Sequence, residues 1–320
     1  MKKVFIARKI DDKGIEMLKK HFEVVENSVD KVLSKEELIK QSRGCDAIVT
    51  LLSDEIDADV IEKIDDSVSI IANYAVGFDN IDICAAAKKN IIITNTPEVM
   101  TQAVAEHAMT LLLACARRVV EGDNYVRSGK YKIWEPDLLP GPEIAGKTLG
   151  IIGVGRIGAV LASIAYHGFG MKVLYHDIQH DEEVERNFQA NFVSMNQLLE
   201  KSDFISLHVP LCPSTKHMIS TGEFKMMKKS AILVNTSRGA VINEKAMIKA
   251  LRDGEIFAAG LDVFESEGSI DPDLIALKNV VLTPHIASAT HEARESMSVC
   301  VAENIIEVLS GRPAKTPVEK

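Results

Sequence analysis

The chain has 320 residues, 46% hydrophobic and 26% charged, so it is long enough for about two globular domains with substantial cores. Its net charge of −9 is dispersed along the sequence, which argues against a nucleic-acid-binding surface. No apolar run approaches the roughly 18 residues of a membrane span, and the five cysteines lack the spacing of a zinc site or disulfide framework. We therefore expect no metal, no membrane contact and a cytoplasmic location.

Short apolar runs alternate with amphipathic segments over the first 95 residues, which is typical of a parallel sheet with crossover helices. We predict five strands, at residues 4–7, 22–26, 46–52, 69–74 and 91–94. We predict four helices between them, at residues 13–21, 35–42, 58–64 and 81–89. This pattern predicts one compact α/β domain.

The next segment, about residues 101–120, is apolar on most faces and is predicted to be one long buried helix. Residues 121–142 are more polar, carry three prolines and the only tryptophan, Trp134, and are predicted to form a long loop or arm. Seven further strands are predicted at 148–152, 171–176, 192–193, 204–208, 231–234, 256–261 and 280–282. A last helix, about 290–309, is expected to return to the N-terminal domain.

A glycine motif of the form G-x-G-x-x-G follows the strand predicted at 148–152. Gly153 permits a tight turn, Gly155 lets a pyrophosphate approach the main chain, and Gly158 lets the next helix pack closely. Asp177 ends the following strand, 19 residues after Gly158, where an acid accepts hydrogen bonds from ribose hydroxyls. The motif predicts dinucleotide binding, and the carboxylate favours NAD over NADP because it would repel a 2′-phosphate.

Other polar residues follow the predicted strands and are expected to converge at one edge of the sheet. His285 comes after a Thr-Pro turn and suits proton transfer near neutral pH. Arg238 suits bidentate binding of a carboxylate, and Gly239 is expected to bring the backbone of that loop near a ligand. An acid beside His285 would orient its ring, but Asp262, Glu265 and Glu267 all remain candidates.

These motifs together resemble the D-isomer-specific 2-hydroxyacid dehydrogenases. The resemblance rests on residues 72–80 (ANYAVGFDN), the glycine motif and Thr283-Pro284-His285. It implies a Rossmann NAD-binding domain, residues 100–287, inserted into a flavodoxin-like substrate domain made of residues 1–99 and 288–320. By position, Arg238, Glu267 and His285 resemble the family's catalytic arginine, supporting glutamate and acid/base histidine.

The resemblance also implies the binding residues. Besides the three glycines, those expected to contact NAD are Arg156, Ile157, Asp177, Pro210, Thr236, Ser237, Arg238 and Asp262, the last facing the nicotinamide carboxamide. Those expected to contact the substrate are Leu52, Arg238, His285, the backbone N–H groups of Val76 and Gly77, and Trp134 from the partner subunit of a homodimer. Two positions depart from the family pattern, since Gly268 replaces a usual proline and Ala287 a frequent glycine.

Within this family the chain is most similar to glyoxylate and hydroxypyruvate reductases, which act on small 2-oxo acids. Leu52 stands where 3-phosphoglycerate dehydrogenases usually carry an arginine, and it offers no charge to a phosphate. 3-Phosphoglycerate dehydrogenase and 2-ketogluconate reductase activities remain alternatives. A further alternative is an NAD-sensing binding protein similar to the C-terminal-binding-protein corepressors.

Overall fold

The computed structural model describes residues 1–29 and 31–318, and these form two compact units. One unit contains Met1–Met100 and the described residues from Ala289 onward, and the other contains Thr101–Ser288. The units therefore divide after residues 100 and 288, and each boundary predicted from the sequence, after residues 99 and 287, lies one residue before the one in the structure. Residues 319 and 320, which the prediction assigned to the first unit, lie outside the described residues.

Strands and helices alternate along the described chain. The strands β1 to β12 are Lys3–Ile6, Glu23–Glu26, Ala47–Thr50, Ile70–Asn73, Ile92–Thr94, Thr148–Ile152, Lys172–His176, Asn191–Phe192, Phe204–Leu207, Ile232–Asn235, Ala258–Leu261 and Val280–Leu282. The helices α1 to α13 are Asp12–Lys19, Lys35–Gln41, Ala58–Lys63, Ile83–Lys88, Thr101–Ala116, Val119–Arg127, Arg156–Phe169, Glu182–Phe188, Met195–Lys201, Thr221–Met226, Glu244–Asp253, Pro272–Ile275 and His291–Leu309.

The first unit is built on a parallel sheet with the strand order β2-β1-β3-β4-β5, which is the flavodoxin-like order. Side-chain caps begin its helices, and Ser34 and Glu37 form a reciprocal capping box at α2. Helix α13, from the end of the chain, packs on α1, β3 and β4 and buries Met297, Val301 and Ile305 in the core of this unit. The first unit is therefore discontinuous in sequence.

The second unit is built on a seven-stranded parallel sheet with the order β12-β11-β10-β9-β6-β7-β8. Numbered within this unit, the order contains the Rossmann arrangement 3-2-1-4-5-6 and adds one strand at its edge. One core cluster includes residues of α5, α7 and α8, and another includes residues of α9, α10 and α11. The prediction of two parallel-sheet domains, one Rossmann and one flavodoxin-like, is confirmed.

The prediction of one helix over 101–120 followed by a loop is wrong. Helix α5 ends at Ala116, and Arg118 has a left-handed backbone with φ of 50°. The Arg118 guanidinium binds Glu121, and a second helix, α6, continues to Arg127. The apolar pattern continues across the break because Val119 and Val120 follow it, so periodicity alone did not reveal the turn.

Candidate active site and cofactor site

The parallel sheet of the second unit brings the predicted polar residues to one edge. Every strand is parallel to its neighbours, so all carboxyl ends lie on the same side. From β12 to β7 this edge carries His285, Asp262, Arg238, Pro210, the glycine turn and Asp177 in that order, because their strands are β12, β11, β10, β9, β6 and β7. The strand order therefore separates the acid/base residues at one end from Asp177 at the other.

The glycine turn between β6 and α7 has little space except at its middle residue. Gly153 has φ of 87°, and a Cβ there would lie 2.9 Å from the carbonyl carbon of His208. A Cβ on Gly158 would lie 2.5 Å from the Gly153 carbonyl oxygen. A Cβ on Gly155 would meet no atom within 4 Å, and this residue directly precedes the N-terminus of α7. The open space lies where unpaired helix N–H groups favour a phosphate.

Other residues at this edge fit a dinucleotide. The Asp177 carboxylate accepts hydrogen bonds from the N–H of Val154 at 2.8 Å and of Ile178 at 2.6 Å, so it is fixed beside the glycine turn. The Thr236 hydroxyl is buried and has no hydrogen-bond partner among the described residues. A buried hydroxyl without a hydrogen bond costs free energy, and a bound ligand that supplies a polar atom would remove this cost. The residues present thus fit the predicted cofactor.

The remaining predicted cofactor residues lie on the loops around this turn. Arg156 and Ile157 are the first two residues of α7, and Pro210 follows β9 and accepts a hydrogen bond from the Thr215 hydroxyl at 2.6 Å. Ser237 donates its hydroxyl hydrogen to the Asn235 amide oxygen at 2.8 Å.

His208, directly after β9, is a further titratable residue of the second unit. Burial lowers the pKa of His208 to about 4, so this imidazole is neutral at ordinary pH.

His285 and Glu267 form a close pair in the second unit. Nδ1 of His285 lies 2.8 Å and 2.9 Å from the two carboxylate oxygens of Glu267. Glu265 instead pairs with Nε2 of His217 at 2.8 Å. Of the three acids that the sequence left open, Glu267 is the one beside the His285 ring.

Arg238 lies on the loop that follows β10. Its Nη1 donates to the Ser237 carbonyl at 2.8 Å, and its own carbonyl accepts from the Asn235 side-chain amide at 2.9 Å. A Cβ on Gly239 would lie 1.9 Å from the carbonyl carbon of Phe264, so this glycine is required by the close approach of a neighbouring loop. That this loop also approaches a ligand stays a prediction.

Asp262 is fully buried at the end of β11. Oδ1 accepts from the Thr283 hydroxyl at 2.6 Å and the Ile286 N–H at 2.9 Å, and Oδ2 accepts from the Ala287 N–H at 2.7 Å. Burial alone would raise the pKa of this carboxyl, but hydrogen bonds from His107, Thr283 and the two amides outweigh it and lower the pKa below its ordinary value. The carboxylate is thus ionised and fully buried among these donors, and its contact with the nicotinamide carboxamide stays a prediction.

In the first unit, the loop after β4 holds three successive carbonyl groups in place. The carbonyl of Ala75 accepts from the Thr96 N–H at 2.8 Å, that of Val76 from the Asn95 side-chain amide at 2.8 Å, and that of Gly77 from the Asn73 side-chain amide at 2.9 Å. Because C=O and N–H of a trans peptide point in opposite directions, the next three N–H groups are also oriented. No acceptor for these N–H groups lies within the described part of this unit.

Two predicted substrate residues lie elsewhere. Leu52 is half-buried in the turn after β3, and β3 pairs with β4, so Leu52 and the Val76–Gly77 loop share the carboxyl edge of the first sheet. Trp134 is 75% exposed in the second unit, on the segment after α6.

The sequence analysis assigned no role to Asn73, His107 or Thr283, although Asn73 and Thr283 lie within the family motifs. Nε2 of His107 lies 3.0 Å from the Thr283 hydroxyl and 3.4 Å from Oδ1 of Asp262. The sequence contained one indication of a role for His107, since it is a polar residue within an otherwise largely apolar, buried helix. Asn73 gave a weaker signal, as an amide at the end of a fully buried strand.

Residues 1–29 and 31–318 contain no cluster of three or more His, Cys, Asp or Glu side chains that could hold a metal ion. No helix in the same residues is both long and apolar enough to cross a bilayer. The Rossmann sheet, the glycine turn and the histidine–carboxylate pair define the class of the protein as a nicotinamide-dinucleotide-dependent oxidoreductase.

Comparison with known proteins identifies the family. The family described as "D-isomer specific 2-hydroxyacid dehydrogenase, NAD binding domain" matches residues 109–287. The chain is 49% identical over 312 residues to a glyoxylate reductase of Korarchaeum cryptofilum, covering 97% of this chain and 93% of that one. It is 49% identical over 322 residues to a glyoxylate reductase of Thermococcus litoralis, covering 99% and 97%.

A solved structure is also similar. The crystal structure of a glyoxylate reductase from Paecilomyes thermophila has a TM-score of 0.89 and 31% identity, covering 99% of this chain and 98% of that one. The chain therefore belongs to the D-isomer-specific 2-hydroxyacid dehydrogenase family, and the resemblance inferred from its motifs is confirmed.

The open space at Gly155 gives a testable prediction for cofactor binding. Gly155→Ala should weaken NADH binding at least about tenfold, because the methyl group occupies the space that a pyrophosphate needs next to the helix N-terminus. The melting temperature should stay unchanged, since the new Cβ meets no atom within 4 Å. Titration of NADH fluorescence measures the affinity.

Gly168→Ala is the matched control, because Gly168 lies in helix α7, which Gly155 directly precedes, and its added Cβ also meets nothing within 4 Å. It should leave NADH affinity unchanged. Unaltered NADH binding by the Gly155→Ala variant would show that the cofactor does not use this turn.

Proposed function

We propose that this protein reduces small unphosphorylated 2-oxo acids, of the glyoxylate and hydroxypyruvate type, with NADH as the preferred reductant. The observation that carries the proposal is the pairing of Nδ1 of His285 with both oxygens of Glu267 at 2.8 and 2.9 Å. The relatives named glyoxylate reductase, matched over nearly the whole chain, support the choice of substrate.

His285 acts as the acid in reduction. Its Nδ1 faces Glu267, which leaves Nε2 as the nitrogen that can exchange a proton with substrate. The Glu267 carboxylate fixes the orientation of the ring through these two contacts. NADH, when bound, would supply the hydride that C2 of the substrate receives. The proton from Nε2 then joins the former carbonyl oxygen, so the C=O bond becomes a C–OH group and His285 is left neutral.

Each unit, taken by itself, carries donors that suit a carboxylate. Arg238 can hold a carboxylate with parallel hydrogen bonds and polarise the adjacent carbonyl. In the first unit, the oriented N–H groups of Val76, Gly77 and Phe78 form a set of backbone donors that suits a carboxylate. The amide clamps from Asn73 and Asn95 support this role, because they orient these donors without adding a charge.

We also propose that the protein is a homodimer. Of the fourteen exposed large apolar residues among those described, six lie within residues 119–134, on α6 and the segment after it. They are Val119, Val120, Val126, Tyr131, Ile133 and Trp134. Apolar residues concentrated in this way are typical of a protein–protein interface. Five unpaired cysteines support a cytoplasmic location as part of the same proposal.

Substrate choice is tested by steady-state kinetics with glyoxylate, hydroxypyruvate, pyruvate, 2-ketogluconate and 3-phosphohydroxypyruvate. We expect glyoxylate or hydroxypyruvate to give the highest kcat/KM, since Leu52 offers no charge to a phosphate. A clear preference for 3-phosphohydroxypyruvate or 2-ketogluconate would replace the proposed substrate. Cofactor binding without turnover of any of the five would favour an NAD-sensing binding protein instead.

The acid/base pair predicts a large loss of activity. His285→Asn should lower kcat roughly 10²- to 10⁴-fold with NADH affinity nearly unchanged, because a positioned acid is lost. Glu267→Gln should lower kcat by a smaller factor, again with NADH affinity unchanged, because an amide presents one acceptor oxygen to the ring where the carboxylate presents two.

The two kcat values should be compared under conditions in which deuterium at C4 of the NADH nicotinamide slows the reaction, which shows that hydride transfer limits the rate. Glu265→Gln is the control for charge, since Glu265 pairs with His217. If Glu267→Gln keeps the kcat of the unmodified protein, Glu267 does not assist His285.

Asp177 predicts the choice between NADH and NADPH. The unmodified protein should have a higher kcat/KM with NADH, since the fixed Asp177 carboxylate repels a 2′-phosphate. Asp177→Ala should narrow this ratio by about tenfold, equivalent to roughly 1.4 kcal/mol of lost discrimination. Steady-state kinetics with each cofactor measures it, and an unmodified protein that uses NADPH equally well would contradict the assignment.

The exposed residues on α6 and beyond predict the oligomeric state. Light scattering at micromolar concentration should give the mass of two chains, and Val126→Asp should shift the protein towards the monomer. Ile275→Asp is the control, because Ile275 is 57% exposed but lies on α12, away from this segment in sequence, and the variant should stay dimeric.

Trp134→Ala should raise the KM for glyoxylate by roughly tenfold if its side chain reaches the partner's substrate pocket. A monomeric unmodified protein would exclude both ideas.

A further inference from the structure

The loop that carries His285 is held by a single buried carboxylate. Asp262 accepts hydrogen bonds from the Thr283 hydroxyl and from the N–H groups of Ile286 and Ala287, and its own carbonyl accepts from the His285 N–H at 2.9 Å. His285 itself has φ of 54°, a left-handed conformation that is unfavourable for a residue with a side chain. The bonds to Asp262 lie on both sides of this strained residue.

His107 extends this arrangement from helix α5. Its Nε2 lies 3.0 Å from the Thr283 hydroxyl oxygen and 3.4 Å from Oδ1 of Asp262, and its side chain is 17% exposed. An ionised carboxylate can only accept, so the single hydroxyl hydrogen of Thr283 points to Asp262 at 2.6 Å. The Thr283 oxygen must then accept from His107, whose Nε2 therefore carries a hydrogen.

The chain of donors runs from His107 to Thr283 to Asp262. Helix α5 packs on β10, β11 and β12, the strands that precede the loops of Arg238, Asp262 and His285, so its position is fixed by the core of the unit. A donor on a rigid helix can hold a loop more accurately than contacts within the loop alone.

We propose that His107 and Thr283 are positioning residues that act through Asp262 to hold His285 in its left-handed conformation beside Glu267. This inference rests on the proposed role of His285 as the acid. Neither side chain needs to touch substrate or cofactor. Their effect on the reaction is to keep the imidazole where its proton can be transferred.

The test compares Thr283→Val with Thr283→Ser. Valine keeps the size of threonine but lacks the hydroxyl, so kcat for glyoxylate reduction should fall roughly 10- to 100-fold, the cost of a misplaced reacting group. The KM for NADH should change little, because the glycine turn is untouched. Serine keeps the hydroxyl and should restore most of the activity.

A second pair of variants tests His107 in the same way. His107→Gln can still place a side-chain N–H near the position of Nε2, whereas His107→Leu cannot. Glutamine should retain more of kcat than leucine, again with NADH affinity unchanged. If Thr283→Val does not fold, this pair decides the question alone.

A double-mutant cycle separates positioning of His285 from a general structural effect. In a His285→Asn background, Thr283→Val and His107→Leu should each cause little further loss, because the group they position is already absent. The single-turnover oxidation of NADH measures the low residual rates.

Each outcome has a distinct meaning. Equal activity of the valine and serine variants, or of the leucine and glutamine variants, would overturn the inference. Losses that remain in full in the His285→Asn background would also overturn it, because these residues would then act independently of His285. Full activity of His285→Asn itself would overturn the proposed function, and with it the premise of this inference.

Discussion

The parallel alignment of the seven strands in the second unit is the constraint on which its chemistry depends. Because each strand is parallel to its neighbours, every loop that leaves a carboxyl end emerges at the same edge. The helices return on the two faces and bury both sides of the sheet in apolar clusters. The polar residues can therefore be gathered at one edge without interrupting the core. Their order along this edge follows from strand order, not from their order in the sequence.

Loops at such an edge are held by buried polar side chains rather than by regular secondary structure. In the second unit the carboxylate of Asp262 binds backbone and hydroxyl groups on both sides of His285. In the first unit the amides of Asn73 and Asn95 hold two successive carbonyls of the loop after β4. Both arrangements bury polar groups, which is tolerable only because each is hydrogen-bonded. Backbone groups in these loops are thereby oriented before any ligand arrives, and no cost of ordering them remains for binding.

The sequence predicted most of the elements and the general nature of the site. Alternating apolar and amphipathic segments predicted the two parallel-sheet domains, and the spacing of Gly153, Gly155 and Gly158 predicted the cofactor turn. Only glycine permits the close backbone contacts at Gly153 and Gly158, while Gly155 leaves open space. Periodicity failed at Arg118, where apolar residues on both sides concealed a left-handed turn. It also did not reveal that Gly239 must be glycine because the backbone of Phe264 lies against it. A sequence shows that a glycine is present, but not which atom approaches it.

By itself, the sequence determined the class of fold, the dinucleotide turn and the kinds of side chain available for catalysis, because these depend on local spacing and on residue chemistry. Residue chemistry alone left open which acid accompanies His285, the family resemblance indicated Glu267, and the tertiary structure shows the pairing: Glu265 and Glu267 are two residues apart, yet one pairs with His217 and the other with His285. Only the tertiary structure decided that His107 contacts Thr283, across 176 residues of sequence, and that Asp262 is enclosed. Such contacts depend on how helices and loops pack over the sheet, and packing joins residues whose separation along the chain carries no information about their distance in space.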